Sequence, residues 1–296
     1  MEVSGGAGSP KHYSVLLNES LEYLAIRPDG IYVDLTAGLG GHTKAIAQGL
    51  TTGLLLACDR DAESLKMAAA NAEAFRDRIR FFHGAFSDLP KALEQHGVSA
   101  ADGVLADLGV SWFQLRSAER GFSLMEDGPL DMRMNRSENV TAADLVNEMP
   151  EKALADLIYQ LGEERRSRRI SRAIVRARPI VTTGRLARVI EGAVPRTGRL
   201  HPATQTFMAL RLAVNRELEE LEEMLRIVPE RLQSGGRWVV LTFMSLEDRL
   251  VKERFRSLAQ AGKAKVITKH VIKPTAEEIA INPASRSAKL RALEWV

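Results

Sequence analysis

The stretch that decides the fold runs from residue 31 to residue 61 and reads IYVDLTAGLGGHTKAIAQGLTTGLLLACDRD. Residues 31–36 are mostly apolar, with β-branched and aromatic members, and predict a buried strand. A glycine-rich turn follows and leads into a helix predicted over 43–49. A second apolar strand, over 53–58, then ends on Asp59. These elements form one strand–helix–strand unit with a carboxylate at its far end.

The glycine turn and Asp59 together favour an adenosine-containing ligand. Glycine lets the backbone approach a ligand closely, and the helix that follows directs free N–H groups towards it. A carboxylate that ends the second strand can accept hydrogen bonds from both hydroxyls of a ribose. The alternative is a turn needed only for packing between strand and helix.

Two adenosine cofactors fit this unit, a nicotinamide dinucleotide and S-adenosylmethionine. The pattern Gly38-x-Gly40-x-x-Thr43 has threonine where the dinucleotide fingerprint has its third glycine. Because the turn lacks the glycine that helps to seat a pyrophosphate, S-adenosylmethionine is the favoured cofactor.

The composition restricts the class of protein. The chain has 296 residues, a formal net charge of +3 and one cysteine, Cys58. A single cysteine excludes a disulfide framework and a cysteine-based zinc site, and it fits a reducing compartment. No window approaches the roughly 18 apolar residues of a membrane span, and residues 1–11 resemble neither a signal peptide nor a transit peptide. We therefore expect a cytoplasmic protein that makes no contact with a membrane.

Further apolar runs extend the α/β pattern and predict five more strands, at 79–82, 103–106, 237–243, 264–272 and 288–295. Asp34, Asp59 and Asp107 each end a strand, and ligands of open α/β sheets bind beyond the carboxyl ends of strands. We therefore expect the three carboxylates to converge on one crevice; the alternative for each is a turn cap. Phe86, after the third strand, is expected to pack on an adenine or to lie in the core.

The strand pattern stops after residue 113 and is replaced by helical periodicity. Predicted helices cover 141–148, 151–161, 184–193 and 203–225, and the acid-rich residues 217–223 are expected to form a solvated face. We therefore divide the chain into the first part of a sheet domain (1–113), an all-helical insertion (114–212) and the second part of the sheet domain (213–296).

Seven arginines lie between residues 165 and 178, and four of them fall on one face of a predicted helix: Arg165, Arg169, Arg172 and Arg176. Such a stripe neutralises phosphates, which predicts contact with RNA. The alternative is a solvated surface helix paired with neighbouring glutamates.

Several runs of residues resemble the bacterial ribosomal RNA small-subunit methyltransferase H family, which methylates N4 of a 16S cytosine and has mitochondrial relatives. They cover nearly the whole chain, at 12–17, 36–42, 59–61, 107–111, 119–123, 127–134, 162–165, 201–204, 245–249 and 282–283. The run Asp-Gly-Pro-Leu-Asp-Met-Arg-Met at 127–134 and the run Ser-Leu-Glu-Asp-Arg at 245–249 are specific to that family.

The resemblance implies a seven-strand, Rossmann-like methyltransferase sheet with a helical domain inserted after the fourth strand. It implies S-adenosylmethionine as the methyl donor, small-subunit ribosomal RNA as the substrate, and no metal; a homodimer is a further hypothesis. Carried over position by position, the cofactor contacts are Gly40, Gly41, His42, Asp59, Phe86, Asp107 and Gln114.

The chain departs from the family pattern at five positions. Trp112 and Phe113 stand where the family has a small residue and proline, Met244 replaces a histidine, and Gln205 and Met208 replace arginine and glutamine. These departures leave a second hypothesis open, an RNA-binding ribosome-assembly factor that has lost methyl transfer. A third is a small-molecule methyltransferase or a nicotinamide-dependent oxidoreductase.

For a methyltransferase, Asp107 is the candidate catalytic residue, because its position resembles the one where amino-methyltransferases of DNA carry an acidic or amide residue. The amino nitrogen of cytosine is a poor nucleophile, so transfer requires in-line placement and an acceptor for an amino hydrogen. Asp107 is our choice for that acceptor, and holding the cofactor is its alternative role. The base has to leave its stack, and Trp112 or Phe113 either stacks on it or packs between sheet and insertion.

Overall fold

The computed structural model describes residues 14–196, 198 and 200–296, so the first two residues of the run at 12–17 lie outside it. Its centre is a single sheet of seven strands: β1 (Ile31–Asp34), β2 (Leu54–Asp59), β3 (Ile79–His83), β4 (Ala101–Asp107), β5 (Leu232–Thr242), β6 (Ala264–Val266) and β7 (Lys289–Trp295). The strand order is β3-β2-β1-β4-β5-β7-β6. Strands β1 to β5 are parallel, and β7 pairs antiparallel with β5 and β6. The α/β fold predicted from the sequence is confirmed.

The described helices surround this sheet and fill the interval between β4 and β5. They are α1 (Leu17–Leu24), α2 (Gly41–Gly49), α3 (Ala62–Asn71), α4 (Leu89–Gln95), α5 (Trp112–Arg116), α6 (Ala142–Glu148), α7 (Glu151–Gly162), α8 (Ser167–Ala177), α9 (Thr183–Ala193), α10 (Thr204–Val214), α11 (Glu217–Ile227), α12 (Ser245–Gln260) and α13 (Ala276–Ile281). Within the described ranges, no helix is both long and apolar enough to cross a membrane.

The two faces of the sheet carry separate apolar cores because successive side chains of a strand point to opposite sides. Val33, Leu56 and Val104 face α4, α11 and α12. Their chain neighbours, Tyr32 and Leu55 among them, face α1, α2 and α3. Each large apolar side chain that is fully buried in this way contributes about 1.5–3 kcal/mol.

The helices between β4 and β5 have an apolar core of their own. Its buried members all lie between Phe122 and Val214, and α6 to α10 each contribute. Ile170 and Ile174 of α8 are fully buried in it. An all-helical insertion with an independent core therefore follows the fourth strand.

One long helix predicted over 203–225 is wrong. The chain breaks between α10 and α11, where Arg216 has a φ of 48°. Asn215 fixes this break: its Oδ1 accepts from the backbone N of Met134 at 2.7 Å, and its Nδ2 donates to the carbonyl oxygen of Met132 at 2.7 Å. The helix therefore ends because of contacts with a segment about 80 residues earlier in the chain.

Candidate functional site

A cavity lies beyond the carboxyl ends of β1, β2 and β4, as expected for an open α/β sheet. Its volume is about 350 Å³, within the range of small-molecule sites. The glycine turn 36–42 forms its floor, and α5, the first turns of α11 and residues 281–284 contribute to its walls. Segments from both parts of the sheet domain and from the start of the insertion thus meet at one site.

The glycine turn approaches this cavity with its backbone. Gly38 has a φ of 52°, and its N–H donates to Asp59 Oδ2 at 2.7 Å. Gly41 and His42, at the start of α2, also line the cavity. Gly40 does not line it; its φ is 86°, and a Cβ there would lie 2.9 Å from Cα of Ala68. Gly40 is therefore required for close packing of the turn on α3.

Asp59 ends β2 at the edge of the cavity, where the sequence placed a ribose-binding carboxylate. Besides the bond from Gly38, its Oδ1 accepts from the N–H of Asp61 at 2.8 Å. Burial outweighs these hydrogen bonds and raises the pKa of Asp59 to about 6. Both oxygens are held in place and each keeps a lone pair for a further donor.

Asp34 does not face the cavity, so the expected convergence of three carboxylates is wrong for this residue. It is fully buried beneath the glycine turn. Its Oδ2 accepts from Thr43 Oγ1 at 2.7 Å and its Oδ1 from the N–H of Thr36 at 3.0 Å. These bonds tie the turn to the start of α2, which is the turn-capping alternative.

Asp107 ends β4 and lines the cavity. Its backbone N–H donates to Thr36 Oγ1 at 2.7 Å, and its Oδ2 lies 3.8 Å from Nδ1 of His42. Its Oδ1 is buried and has no hydrogen-bond partner among the described residues. Burial, with Asp34 and Glu247 nearby, raises the pKa of Asp107 to about 8. The site therefore contains a buried acceptor that the chain itself leaves available.

Phe86 lines the cavity and also packs against the apolar core; its contact with an adenine stays a prediction. Next to it, Ser87 donates through its N–H to Glu220 Oε2 at 3.0 Å and through its hydroxyl to Glu220 Oε1 at 3.1 Å. Glu217 and Glu220 both line the cavity. The prediction that residues 217–223 form a solvated face is therefore wrong on this side of α11.

Gln114 is buried at the cavity wall and is held on two sides. Its Oε1 accepts from the N–H of Ser111 at 2.9 Å, and its Nε2 donates to Asp61 Oδ2 at 2.7 Å.

Arg120, which is only 1% exposed, lies 2.9 Å from the same Asp61 oxygen and 2.9 Å from Glu63 Oε2. Its other nitrogen donates to the carbonyl oxygens of residues 133 and 134, both at 3.0 Å. The insertion is thus attached directly to the N-terminal end of α3, just after β2.

Sequence reasoning missed an ionic cluster behind Asp107. Glu247 is buried, lines the cavity and accepts from the N–H groups of Phe243 and Met244. Nε of Arg211 lies 2.8 Å from Oε1 of Glu217 and forms an ion pair with it. Burial raises the pKa of Glu247, while Arg211 opposes the shift. The family-specific run at 245–249 contains Glu247 and was the signal that could have identified it.

Met244 itself is not among the residues that line the cavity. Its sulfur lies 3.8 Å from Nη2 of Arg211, which makes it a weak acceptor at the edge of this cluster. The replacement of a histidine by Met244 therefore changes a residue that contacts Arg211 and leaves the residues that line the cavity unchanged.

The basic helix α8 exposes three residues of the predicted arginine stripe, Arg169, Arg172 and Arg176. Arg165 is exposed too, but it precedes the helix, which begins at Ser167, so its predicted place on the helix face is wrong. Arg172 lies 3.4 Å from Glu151. Arg178 does not belong to this exposed face, since it donates to the carbonyl oxygens of Val146 and Met149 at the end of α6.

Across the described ranges, no group of three or more histidine, cysteine or acidic side chains is arranged to hold a metal.

The chain has close relatives among known proteins. The model of the MraW methylase family matches residues 9–296. The ribosomal RNA small subunit methyltransferase H of Solibacter usitatus is 60% identical over 283 residues, which cover 96% of this chain and 99% of that protein. The protein of the same name from Koribacter versatilis is 51% identical over 294 residues, covering 95% of this chain and 93% of that protein.

Likeness to solved structures is more distant. An rRNA methylase from Streptococcus thermophilus aligns over 99% of this chain and 99% of that chain, with 13% identity and a TM-score of 0.46. The family assignment therefore rests on sequence, through the match over 9–296 and the high identity to its relatives. The chain belongs to the MraW methylase family, as its motifs indicated.

Proposed function

We propose that this protein transfers the methyl group of S-adenosylmethionine to N4 of a cytosine in small-subunit ribosomal RNA, in the decoding region. The observation that carries the proposal is the placement of Asp59 and Asp107 at adjoining strand ends on one cavity. One carboxylate suits a ribose and the other suits a reacting amino group. The names of the relatives, ribosomal RNA small subunit methyltransferase H, agree with this substrate.

The residues of the cavity fit S-adenosylmethionine. Asp59 is oriented for the ribose hydroxyls by two backbone donors, and Phe86 offers an aromatic surface to the adenine. The N–H groups at the start of α2, at Gly41 and His42, lie at the same cavity. The buried Oδ1 of Asp107 requires a donor or a positive charge from outside the described protein atoms.

When bound, S-adenosylmethionine supplies an electrophilic methyl group on a positively charged sulfur. A positive sulfur beside Asp107 would lower the pKa of this carboxyl group and favour its carboxylate form. That carboxylate accepts a hydrogen of the cytosine amino group, which frees the nitrogen lone pair as the carbon–nitrogen bond forms and the carbon–sulfur bond breaks. Asp107 then takes the proton that the nitrogen loses and returns it to solvent.

The insertion is our proposed RNA-recognition domain, bounded at 114–212 within a sheet domain formed by 1–113 and 213–296. Its exposed arginine stripe on α8 supports this role, because closely spaced guanidinium groups bind phosphate oxygens. Arg120 and Gln114 link the insertion to the cavity. RNA held by α8 is thereby oriented relative to the bound cofactor.

The alternative, an assembly factor without methyl transfer, is not favoured. Its support was the set of departures at Met244, Gln205 and Met208, and none of these residues lines the cavity. Asp59 and Asp107, on which the chemistry depends, keep the family residues. We propose that the enzyme acts in the cytoplasm, where its substrate is assembled. The homodimer remains a hypothesis that light scattering can test.

The decisive experiment uses methyl-labelled S-adenosylmethionine and small ribosomal subunits that lack the modification, followed by nucleoside analysis of the RNA. We expect label in N4-methylcytidine, and none with Asp107→Ala. The control is binding of S-adenosylhomocysteine, which the variant should retain. Cofactor binding without any label in the wild-type reaction would instead support the assembly factor.

A further inference from the structure

The helix α5 presents an unusual surface at the mouth of the cavity. Its first residue, Trp112, is 37% exposed, and Leu115 is 40% exposed. The guanidinium carbon of Arg116 lies 5.2 Å from the centre of the indole ring. All three side chains line the cavity that also contains Asp107. An aromatic ring with a stacked cation therefore stands only five residues after the proposed proton acceptor.

Packing does not account for the position of Trp112. It belongs to none of the three apolar cores of the described chain, and it is one of the exposed large apolar side chains. Phe113, its neighbour, does not line the cavity. Of the two aromatic residues singled out in the sequence, only Trp112 is available to a ligand at this site.

The backbone beneath Trp112 is held in a defined position. Ser111 caps α5 by accepting from the N–H of Gln114 at 3.2 Å, and Gln114 donates to Asp61. Asp61 in turn caps α3, the helix that follows β2. Because α5 is anchored at its first turn, the indole is oriented before any ligand arrives, which lowers the entropy cost of binding.

We propose that the Trp112 indole and the Arg116 guanidinium form a stacking platform for one unstacked nucleobase of the RNA substrate. The proposal rests on the proposed function and adds a substrate-binding subsite to it. A base that enters the cavity has to leave its own stack, and an aromatic face replaces the lost stacking. Arg116 adds a positive charge for an adjacent phosphate. Ile281, 57% exposed, lines the same cavity and offers further apolar contact.

The first test separates RNA binding from cofactor binding. Trp112→Ala should raise the KM for unmodified small subunits about ten-fold, the usual size of a lost base–aromatic stack. Trp112→Phe should restore most of the affinity, and Arg116→Ala should have a smaller effect. The Kd for S-adenosylhomocysteine should stay within about two-fold of wild type in each variant. Loss of cofactor affinity as large as the rise in KM would overturn the proposal, since Trp112 would then pack on the cofactor.

Matched controls come from other parts of the chain. Met67 on α3 is 37% exposed, as Trp112 is, and lies outside both the cavity and the insertion, so Met67→Ala tests the loss of a large exposed apolar side chain. Arg78 lies 5.9 Å from the ring centre of Phe75, also outside the cavity, so Arg78→Ala tests the loss of a ring-bound cation. Both controls should leave the KM unchanged, and a ten-fold rise in either would contradict a specific role for α5.

A second measurement does not depend on methyl transfer. With S-adenosylhomocysteine bound, a cytidine-containing oligonucleotide should quench tryptophan fluorescence, and Trp112→Phe should abolish the quenching. The other two tryptophans should not respond, because Trp238 is fully buried and Trp295 packs against the apolar core outside the cavity. Equal quenching in wild type and variant would refute the platform. Quenching that requires Trp112 in a protein that labels no RNA would uphold the platform while refuting the proposed function.

Discussion

Asp107 shows how the fold changes the chemistry of a single residue. Its pKa is raised to about 8 by burial and by two neighbouring carboxylates. The unfolded chain therefore releases this proton at a much lower pH than the folded chain does. A carboxyl group with a raised pKa in the folded state destabilises the fold as pH rises towards that pKa.

We accordingly predict that Asp107→Asn stabilises the empty protein at alkaline pH. The difference in free energy of unfolding, variant minus wild type, should be small near pH 4 and should grow until about pH 8, because only the wild type has this proton to lose. Urea denaturation at a series of pH values measures it. Asp127→Asn is the control, since Asp127 is at the surface and has its pKa lowered by the N–H of Gly184. A difference independent of pH would contradict the raised pKa.

The affinity for the cofactor should also depend on whether Asp107 is protonated. S-adenosylmethionine carries a positive sulfur and S-adenosylhomocysteine does not, so only the former gains when Asp107 ionises. The preference for S-adenosylmethionine should rise between about pH 6 and pH 9 and become flat in Asp107→Asn. Calorimetric titration of both ligands at each pH checks this. A wild-type preference that does not change with pH would place the sulfur away from Asp107.

At the scale of elements, Arg120 joins the insertion to the N-terminal end of α3. Removing one partner of a buried ion pair typically costs about 3–5 kcal/mol, because the other charge remains buried. We expect Arg120→Met to lose stability on this scale and to weaken binding of S-adenosylhomocysteine, since Asp61, which holds Gln114 at the cavity wall, loses its ion pair. Arg136 is the matched control: it contacts the same Glu63 at 3.5 Å but is 48% exposed. Arg136→Met should cost at most about 1 kcal/mol, and denaturation with ligand titration compares the two variants.

For helix α8 we predict the opposite, a change in RNA binding without a change in stability. Arg169→Glu combined with Arg172→Glu should weaken RNA binding and reduce its dependence on salt, because fewer phosphate counterions are released. Cofactor affinity should be unchanged. The same reversal at Arg76 and Arg80, exposed residues beside the far edge of the sheet, is the control. Filter binding at several salt concentrations provides the measurement, and equal losses in both double variants would refute a specific role for α8.

At the scale of the whole molecule, the cavity is built from segments that are distant in the chain. Thr36, Asp107, Glu217 and Pro283 all line it. A ligand that binds only the folded state stabilises it by about 2.7 kcal/mol at a hundred times its Kd. S-adenosylhomocysteine should therefore raise the unfolding midpoint of the whole chain, and Asp59→Ala should lose that increase. An increase retained in Asp59→Ala would exclude the ribose role of this carboxylate.

The sequence by itself determined the sheet, the site of the insertion and most of the cavity. Strands β1, β2 and β4 are recognisable because apolar runs end on acidic residues, and parallel strands bring their carboxyl ends to one edge. The position of Asp59 and Asp107 at that edge follows from local order alone. The shared face of Arg169, Arg172 and Arg176 on α8 likewise follows from helical spacing.

Only the tertiary structure decided which polar groups are buried and which reach the cavity. Asp34 and Asp107 both end strands, yet Asp34 lies beneath the glycine turn and Asp107 faces the cavity. The break at Asn215, the inward turn of Glu220 and the link through Arg120 depend on partners roughly 60 to 130 residues away. Such contacts have no periodicity in the sequence, because they are set by how finished elements pack against one another.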